Sequence, residues 1–154
     1  FRLGQMSGKP LTLAFIDLDR FKSINDGFGH EAGDQCLRSL AENVGQALRR
    51  GDLLVRWGGE EFVAILPDTP PENVGPLLQR LRDAGLGKRP DGAPMTASIG
   101  IASSREADLG SWENMVQRAD LRMYEAKQRG RDSVVWADDR WQPMAQLSLA
   151  ASAG

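Results

Sequence analysis

An α+β fold, a mixed sheet covered by helices, is predicted by three features of the sequence. Apolar runs of strand length alternate with one-sided helical stripes, two of those runs flank a Gly-Gly pair as hairpin strands do, and no internal repeat interrupts the series. At 154 residues the chain is long enough for one domain with a sizeable core.

The elements follow in order. Leu11 to Asp17 (LTLAFID) is a short apolar run ending in carboxylates, the pattern of a buried strand that delivers acids to a sheet edge. Asp19 to Asp26 reads as a short helix stopped by Gly27. A longer helix follows, with Cys36, Leu37, Leu40, Val44, Ala47 and Leu48 on one face. Leu53 to Trp57 and Phe62 to Leu66 flank Gly58 and Gly59 as a hairpin, in which Trp57 packs. Pro67 to Pro71 breaks the pattern, Val74 to Leu86 is helical, and Gly85 to Pro94 is a Gly/Pro-rich connection. Thr96 to Ala102 is a strand, and Trp112 to Gln128 is a helix with Met115, Val116, Ala119, Met123, Ala126 and Tyr124 turned inward and Gly130 as its stop. Val134 to Trp136 is a last short strand, so residues 1–136 are expected to form the domain and residues 137–154 a loosely held tail.

Composition narrows the function. Nineteen Lys and Arg against 21 Asp and Glu leave a net charge of −2, with no field to draw nucleic-acid phosphates or an anionic membrane surface. No apolar run approaches the roughly 18 residues of a spanning helix. The single Cys36 cannot form an internal disulfide or a multi-thiolate zinc site and reads as core, and the single His30 reads as a turn residue. The chain opens at Phe1 without a leader, so it is expected to be a cytoplasmic piece of a longer protein that could itself be membrane-anchored.

Chemistry concentrates at the end of the first strand and the hairpin tip, where Asp17, Asp19, Glu60 and Glu61 would repel one another without a cation. A hard ion such as Mg²⁺ suits oxygen ligands of this kind; acids facing solvent at strand ends are the alternative. Asn25 and Asp34 either cap helices or read a base edge, since a carboxylate accepts paired N–H donors and an amide both donates and accepts. Lys127 and Arg131 straddle a helix end, four positions apart, where they could grip phosphates or simply be solvated.

The segment Arg56-Trp57-Gly58-Gly59-Glu60-Glu61-Phe62 resembles the signature hairpin of the GGDEF (diguanylate cyclase) family in its GGEEF form. Asp17-Leu18-Asp19-Arg20-Phe21-Lys22-Ser23-Ile24-Asn25-Asp26 resembles the family's DxDxFKxxND stretch, and Phe28-Gly29-His30-Glu31-Ala32-Gly33-Asp34 follows it at the family's spacing. Ser98-Ile99-Gly100 and Ala126-Lys127-Gln128-Arg129-Gly130-Arg131 look like its later motifs, so the resemblance runs from about Leu11 to Trp136. Asp132 stands where Asn is common, and the family's N-terminal DxLT segment, which helps couple a regulatory domain to catalysis, is missing.

The resemblance implies a largely antiparallel, palm-like nucleotide cyclase fold and a bacterial second-messenger enzyme. It would condense two GTP into cyclic di-GMP and two pyrophosphates, across a two-fold axis between two subunits and under an upstream regulatory domain. The implied metal is Mg²⁺ or Mn²⁺, held by Asp17, the carbonyl of Leu18 and Glu60, with Glu61 beside it and Glu60 a candidate base. Asn25 and Asp34 would read guanine; Lys22, the amides about Phe21, Lys127 and Arg131 would hold phosphates; Gly58 and Gly59 would let a nucleotide approach the backbone. Arg49 and Asp52 form the RxxD pattern where the family carries a product-inhibition site, with Arg80 or Arg82 completing the grip. A catalytically silent receptor for cyclic di-GMP or GTP is the alternative.

Overall fold

The computed structural model describes residues 8–106, 108–138 and 140–147. Strand β1 (Leu11–Leu18) leads into helices α1 (Phe21–Phe28) and α2 (His30–Ala47), then the hairpin of β2 (Leu53–Arg56) and β3 (Glu61–Pro67). A 3₁₀ turn opens α3 (Val74–Ala84), and β4 (Ala97–Ser103), α4 (Trp112–Gln128), β5 (Ser133–Ala137) and β6 (Arg140–Pro143) complete the order. The six strands form one sheet in the order β2-β3-β1-β4-β5-β6, antiparallel except for the parallel pair β4–β5. This is the expected mixed, largely antiparallel sheet covered by helices.

β1 is an unbroken apolar run because helices cover both faces of the sheet there, and all eight of its residues are buried. Ala14, Ile16 and Leu18 point into the larger core with α1, α2 and α3. Leu11, Leu13 and Phe15 point to the other face, where Met115, Ala119 and Met123 of α4 pack on them. The helix approaches β4 so closely that a Cβ on Gly100 would collide with the α4 backbone from Ala119 to Met123. Arg122, on the inner side of α4, fixes that approach: its guanidinium donates to the Ile101 carbonyl at 2.8 Å and to both oxygens of Glu106 at 2.7 and 2.9 Å.

Four expectations are corrected. Helix α1 starts at Phe21 rather than Asp19 and runs through Gly27, because Arg20 takes a left-handed φ of 57° before it and Gly29, at φ 91°, breaks the chain after it. The segment from Ala137 is not a loose tail as far as residue 147: β6 pairs with β5, and Met144 and Leu147 are buried in the larger core. Residues 148–154 of that expectation lie outside the described residues. Tyr124 is 59% exposed rather than core-facing, since α4 turns Met123 and Ala126 inward instead. Trp57 is 48% exposed, and its ring lies 5.7 Å from that of Phe15 on β1 rather than against the other hairpin strand. No described helix is long and apolar enough to cross a membrane.

Gly100→Ala is therefore expected to lower stability by about 1–3 kcal/mol, because the added methyl meets helix backbone that cannot rotate away. Urea unfolding checks this, and a midpoint equal to wild type would contradict the close β4–α4 contact.

Candidate functional site

The end of β1 and the tip of the β2–β3 hairpin meet by register. Asp17 lies directly opposite Glu61 on β3 and Ser98 on β4, and the Leu18 N–H donates to the Glu60 carbonyl at 3.2 Å. Asp17, Leu18, Glu60 and Glu61 are thus gathered at one end of the sheet. Asp17 and Glu61 share the α4 face, since cross-strand partners point the same way. The hairpin tip is braced by Arg56, whose guanidinium donates to the carbonyls of Gly58 at 3.3 Å and Gly59 at 2.7 Å. Nothing in the local sequence pattern distinguishes this arginine from a solvated one.

Asp17 is 2% exposed. Its Oδ2 accepts from Lys127 Nζ at 2.8 Å, while its Oδ1 is buried without a hydrogen-bond donor. Burial pushes the Asp17 carboxyl up to about 6; the Lys127 ammonium opposes the rise, and Glu60 and Glu61 add to it. Burial also raises Glu61, with repulsion from Asp120 next in importance and Lys127 pulling the other way. Lys127, expected on phosphate, is here the counter-ion of Asp17.

Asp19 does not join the cluster. It is 5% exposed, and both its oxygens are engaged, by Ser98 Oγ at 2.6 Å, Thr96 Oγ1 at 2.7 Å and the Asp132 N–H at 2.9 Å. A divalent cation would meet Asp17, Glu60 and the Leu18 carbonyl instead, and the residues fit one: the donorless Oδ1 of Asp17 needs a positive partner, and all the available ligands are hard oxygens. Among the described residues no group of three or more His, Cys, Asp or Glu is arranged to hold a metal. Such an ion would draw on a substrate's oxygens as Mg²⁺ does.

Gly58 and Gly59 take no left-handed φ, so the turn itself does not require glycine at either place. A Cβ on Gly59 would meet nothing within 4 Å, and one on Gly58 only the Glu61 side chain at 3.6 Å. The chain's own packing gives no reason for glycine there.

Asn25 and Asp34 are not caps. Each is the fifth residue of its helix, α1 and α2, whose N-cap positions are Arg20 and Gly29. Asn25 is half-buried, its Oδ1 without a donor, and its amide lies against Gly33, where any Cβ would strike it. Gly33 thus lets α1 and α2 close on each other and sets Asn25 beside the chain position preceding the exposed Asp34. Phe21 packs on the larger core, while Lys22 is exposed at the start of α1, which no side chain caps. Arg131 is exposed just past α4, at φ 64°.

Arg49 and Asp52 lie at the opposite end of β2 from the glycine tip and are bonded to each other. The Arg49 N–H donates to Asp52 Oδ2 at 2.8 Å, and its guanidinium reaches Asp52, the Pro67 carbonyl and Thr69. They line a pocket of about 200 Å³ with Thr69, Asn73 and Arg80. Arg80 also donates to the Ala47 carbonyl at 2.7 and 3.0 Å, while Arg82 turns elsewhere, to Asp83 and the Leu147 carbonyl.

The family described as diguanylate cyclase, GGDEF domain, matches residues 2–133, and the chain belongs to it. Diguanylate cyclase DgcP of Pseudomonas aeruginosa is 44% identical over 130 residues, which are 81% of this chain and 19% of DgcP. Diguanylate cyclase DgcM of Escherichia coli K12 is 41% identical over 139 residues, 87% of this chain and 33% of DgcM. The chain therefore spans a third or less of these relatives' length. Among solved structures, the active GGEEF domain of a diguanylate cyclase from Vibrio cholerae superposes with a TM-score of 0.78 at 29% identity, covering 87% of this chain and 86% of that one. The GGDEF domain of DgcB from Caulobacter crescentus, in complex with c-di-GMP, superposes at 0.74 with 31% identity, covering 88% and 82%.

The raised Asp17 carboxyl sets a pH dependence. Its folded value of about 6 lies above the ordinary 3.8, so the contribution to stability is full below the ordinary value and is lost as pH rises through the folded one. The loss amounts to at most roughly 3 kcal/mol, from about two units at 1.36 kcal/mol each. In chelator, Asp17→Asn should gain stability over wild type as pH goes from 4.5 to 7.5. Denaturant unfolding of both proteins at the two pH values measures it, and a pH-independent difference would refute the assignment.

Proposed function

We propose that this domain is a diguanylate cyclase that condenses two GTP into cyclic di-GMP and two pyrophosphates. The observation that carries the reading is the tip geometry: glycines with no internal reason to be glycine stand beside a buried carboxylate whose one oxygen has no donor. That pairing suits a phosphate-bearing ligand with its counter-cation. Family membership names the chemistry.

In this reading Asp34 accepts the paired N–H donors of guanine, while the Asn25 amide, whose oxygen is already donorless, takes the same edge. Adenine lacks that donor pair. Lys22, the first amides of α1 and Arg131 bind the phosphates. Lys127 stands between Asp17 and the phosphates and neutralises both. The 3′-hydroxyl oxygen of one GTP attacks the α-phosphorus of the other in line with the departing pyrophosphate, and the reciprocal attack closes the ring. Mg²⁺ or Mn²⁺ held by Asp17, the Leu18 carbonyl and Glu60 would polarise the α-phosphoryl group and acidify the attacking hydroxyl. Glu60 is the candidate base at the tip, and Glu61, whose carboxyl burial raises, adds negative charge beside it. One GTP per subunit makes a homodimer the active species.

We assign Arg49 and Asp52 to a product-binding site, with Arg80 on the same pocket wall. Their mutual ion pair means that cyclic di-GMP binds there by exchanging that contact for its own phosphate and guanine edges. The domain works in the cytoplasm, where GTP is available, under a regulatory domain elsewhere in a longer parent protein.

Incubation of the dimerised domain with GTP and Mg²⁺, followed by chromatography for cyclic di-GMP, tests the activity; GTP or product binding without turnover would mark a receptor instead. Glu60→Gln should lower turnover by at least about a hundredfold with the fold intact, because it removes a ligand oxygen charge at a surface tip. Turnover within threefold of wild type would sink the metal-site assignment. Arg49→Ala should keep the initial rate but lose the slowing caused by added cyclic di-GMP. Progress curves at several product concentrations check it, and equal slowing of both proteins would remove the RxxD site from the account.

A further inference from the structure

We propose that Asp19 is a positioning residue that fixes two phosphate-facing turns relative to each other, a role that rests on reading this end of the sheet as a nucleoside-triphosphate site. Its carboxylate makes three hydrogen bonds to two distant segments. Ser98 Oγ at 2.6 Å and Thr96 Oγ1 at 2.7 Å come from the start of β4, and the Asp132 N–H at 2.9 Å comes from the α4–β5 turn. The Asp19 N–H in turn donates to the Thr96 carbonyl at 2.9 Å.

Each turn next to these bonds carries groups that suit an anion. Arg20 follows Asp19 in a left-handed conformation, φ 57°, and its carbonyl accepts from the Ile24 N–H at 3.1 Å to begin α1. That orientation presents the first amides of α1 and Lys22 to solvent. On the other side, Arg131 and Asp132 take successive left-handed φ values of 64° and 43°. Non-glycine residues hold such values only where their surroundings over-determine them. The Asp132 N–H bond to Asp19 is one such determinant, and it aims the turn that bears Arg131. One buried carboxylate thereby sets both turns without touching a ligand.

This role differs from metal binding in a way that chemistry can separate. An asparagine reproduces the bonds: its oxygen accepts from Thr96 and the Asp132 N–H, and its amide donates to the Ser98 hydroxyl, which can rotate to accept. An alanine reproduces none. A metal ligand, by contrast, needs the charge that asparagine lacks.

The test compares wild type, Asp19→Asn, Asp19→Ala and Thr96→Val. Calorimetry measures affinity for GTP and for guanosine, and electron paramagnetic resonance measures binding of Mn²⁺ alone. Asp19→Ala is expected to weaken GTP at least tenfold and guanosine less than twofold, Thr96→Val to weaken GTP several-fold, and Asp19→Asn to stay within threefold of wild type for GTP and Mn²⁺. GTP affinity within twofold of wild type in Asp19→Ala overturns the proposal, as does an Asp19→Asn variant that loses Mn²⁺ or GTP as severely as the alanine. Should Asp19→Ala fail to fold, Thr96→Val and Asp19→Asn decide: an unchanged Thr96→Val or a crippled Asp19→Asn overturns it. Wild type that binds no GTP at all brings down the triphosphate reading and this role together, whereas wild type that binds it normally isolates any failure to Asp19.

Discussion

Two carboxylates, Asp17 and Asp19, are withdrawn from water at the end of a strand that is buried on both faces, and the fold resolves their desolvation in opposite ways. Asp19 is fully provided with donors from two distant segments. Asp17 receives one cation on one oxygen and nothing on the other. A buried carboxylate that lacks a partner is costly, and the cost is visible in the upward shift of its pKa. Asp19 is therefore structural, whereas Asp17 keeps one oxygen without a partner, although both stand in one short DxD pattern.

The helical layers decide which groups surround that end of the sheet. α4 lies tight on β4 because Gly100 has no Cβ and Arg122 ties the helix to the Ile101 carbonyl, and this places Lys127 over Asp17. On the other face, Gly33 lets α1 and α2 close until the Asn25 amide rests against the second helix. Close approach at Gly100 thus brings Lys127 to the strand end, and close approach at Gly33 sets Asn25 against the second helix. Gly58 and Gly59 differ from both, since the chain itself makes no use of their missing side chains.

Much of this was legible beforehand. β1 was readable as an apolar run, because a strand covered on both faces has no solvent side to mark with polar residues. Helix α4 was readable to its ends, since Ser111 caps it by accepting from the Asn114 N–H and its apolar positions keep helical spacing. The GGEEF hairpin and the residues after β1 pointed to this end of the sheet because the motif is contiguous. The readings that failed rested on residue type rather than on spacing. Tyr124 is aromatic, but the helical repeat sets it opposite Met115, Ala119 and Ala126 and so in solvent, and Met144 and Leu147 found the core from a segment whose neighbours are polar or small.

Local order, then, was set by the amino-acid sequence: which segments are strands and helices, where the glycines fall, and which acids, amides and cations are available. The partition of roles among them was set by contacts between residues far apart along the chain. Asp19 meets its partners 77 to 113 positions away, and Asp17 meets Lys127 at 110. Periodicity and spacing act over a few residues, whereas desolvation and hydrogen-bond satisfaction depend on what the folded chain places within about 3 Å.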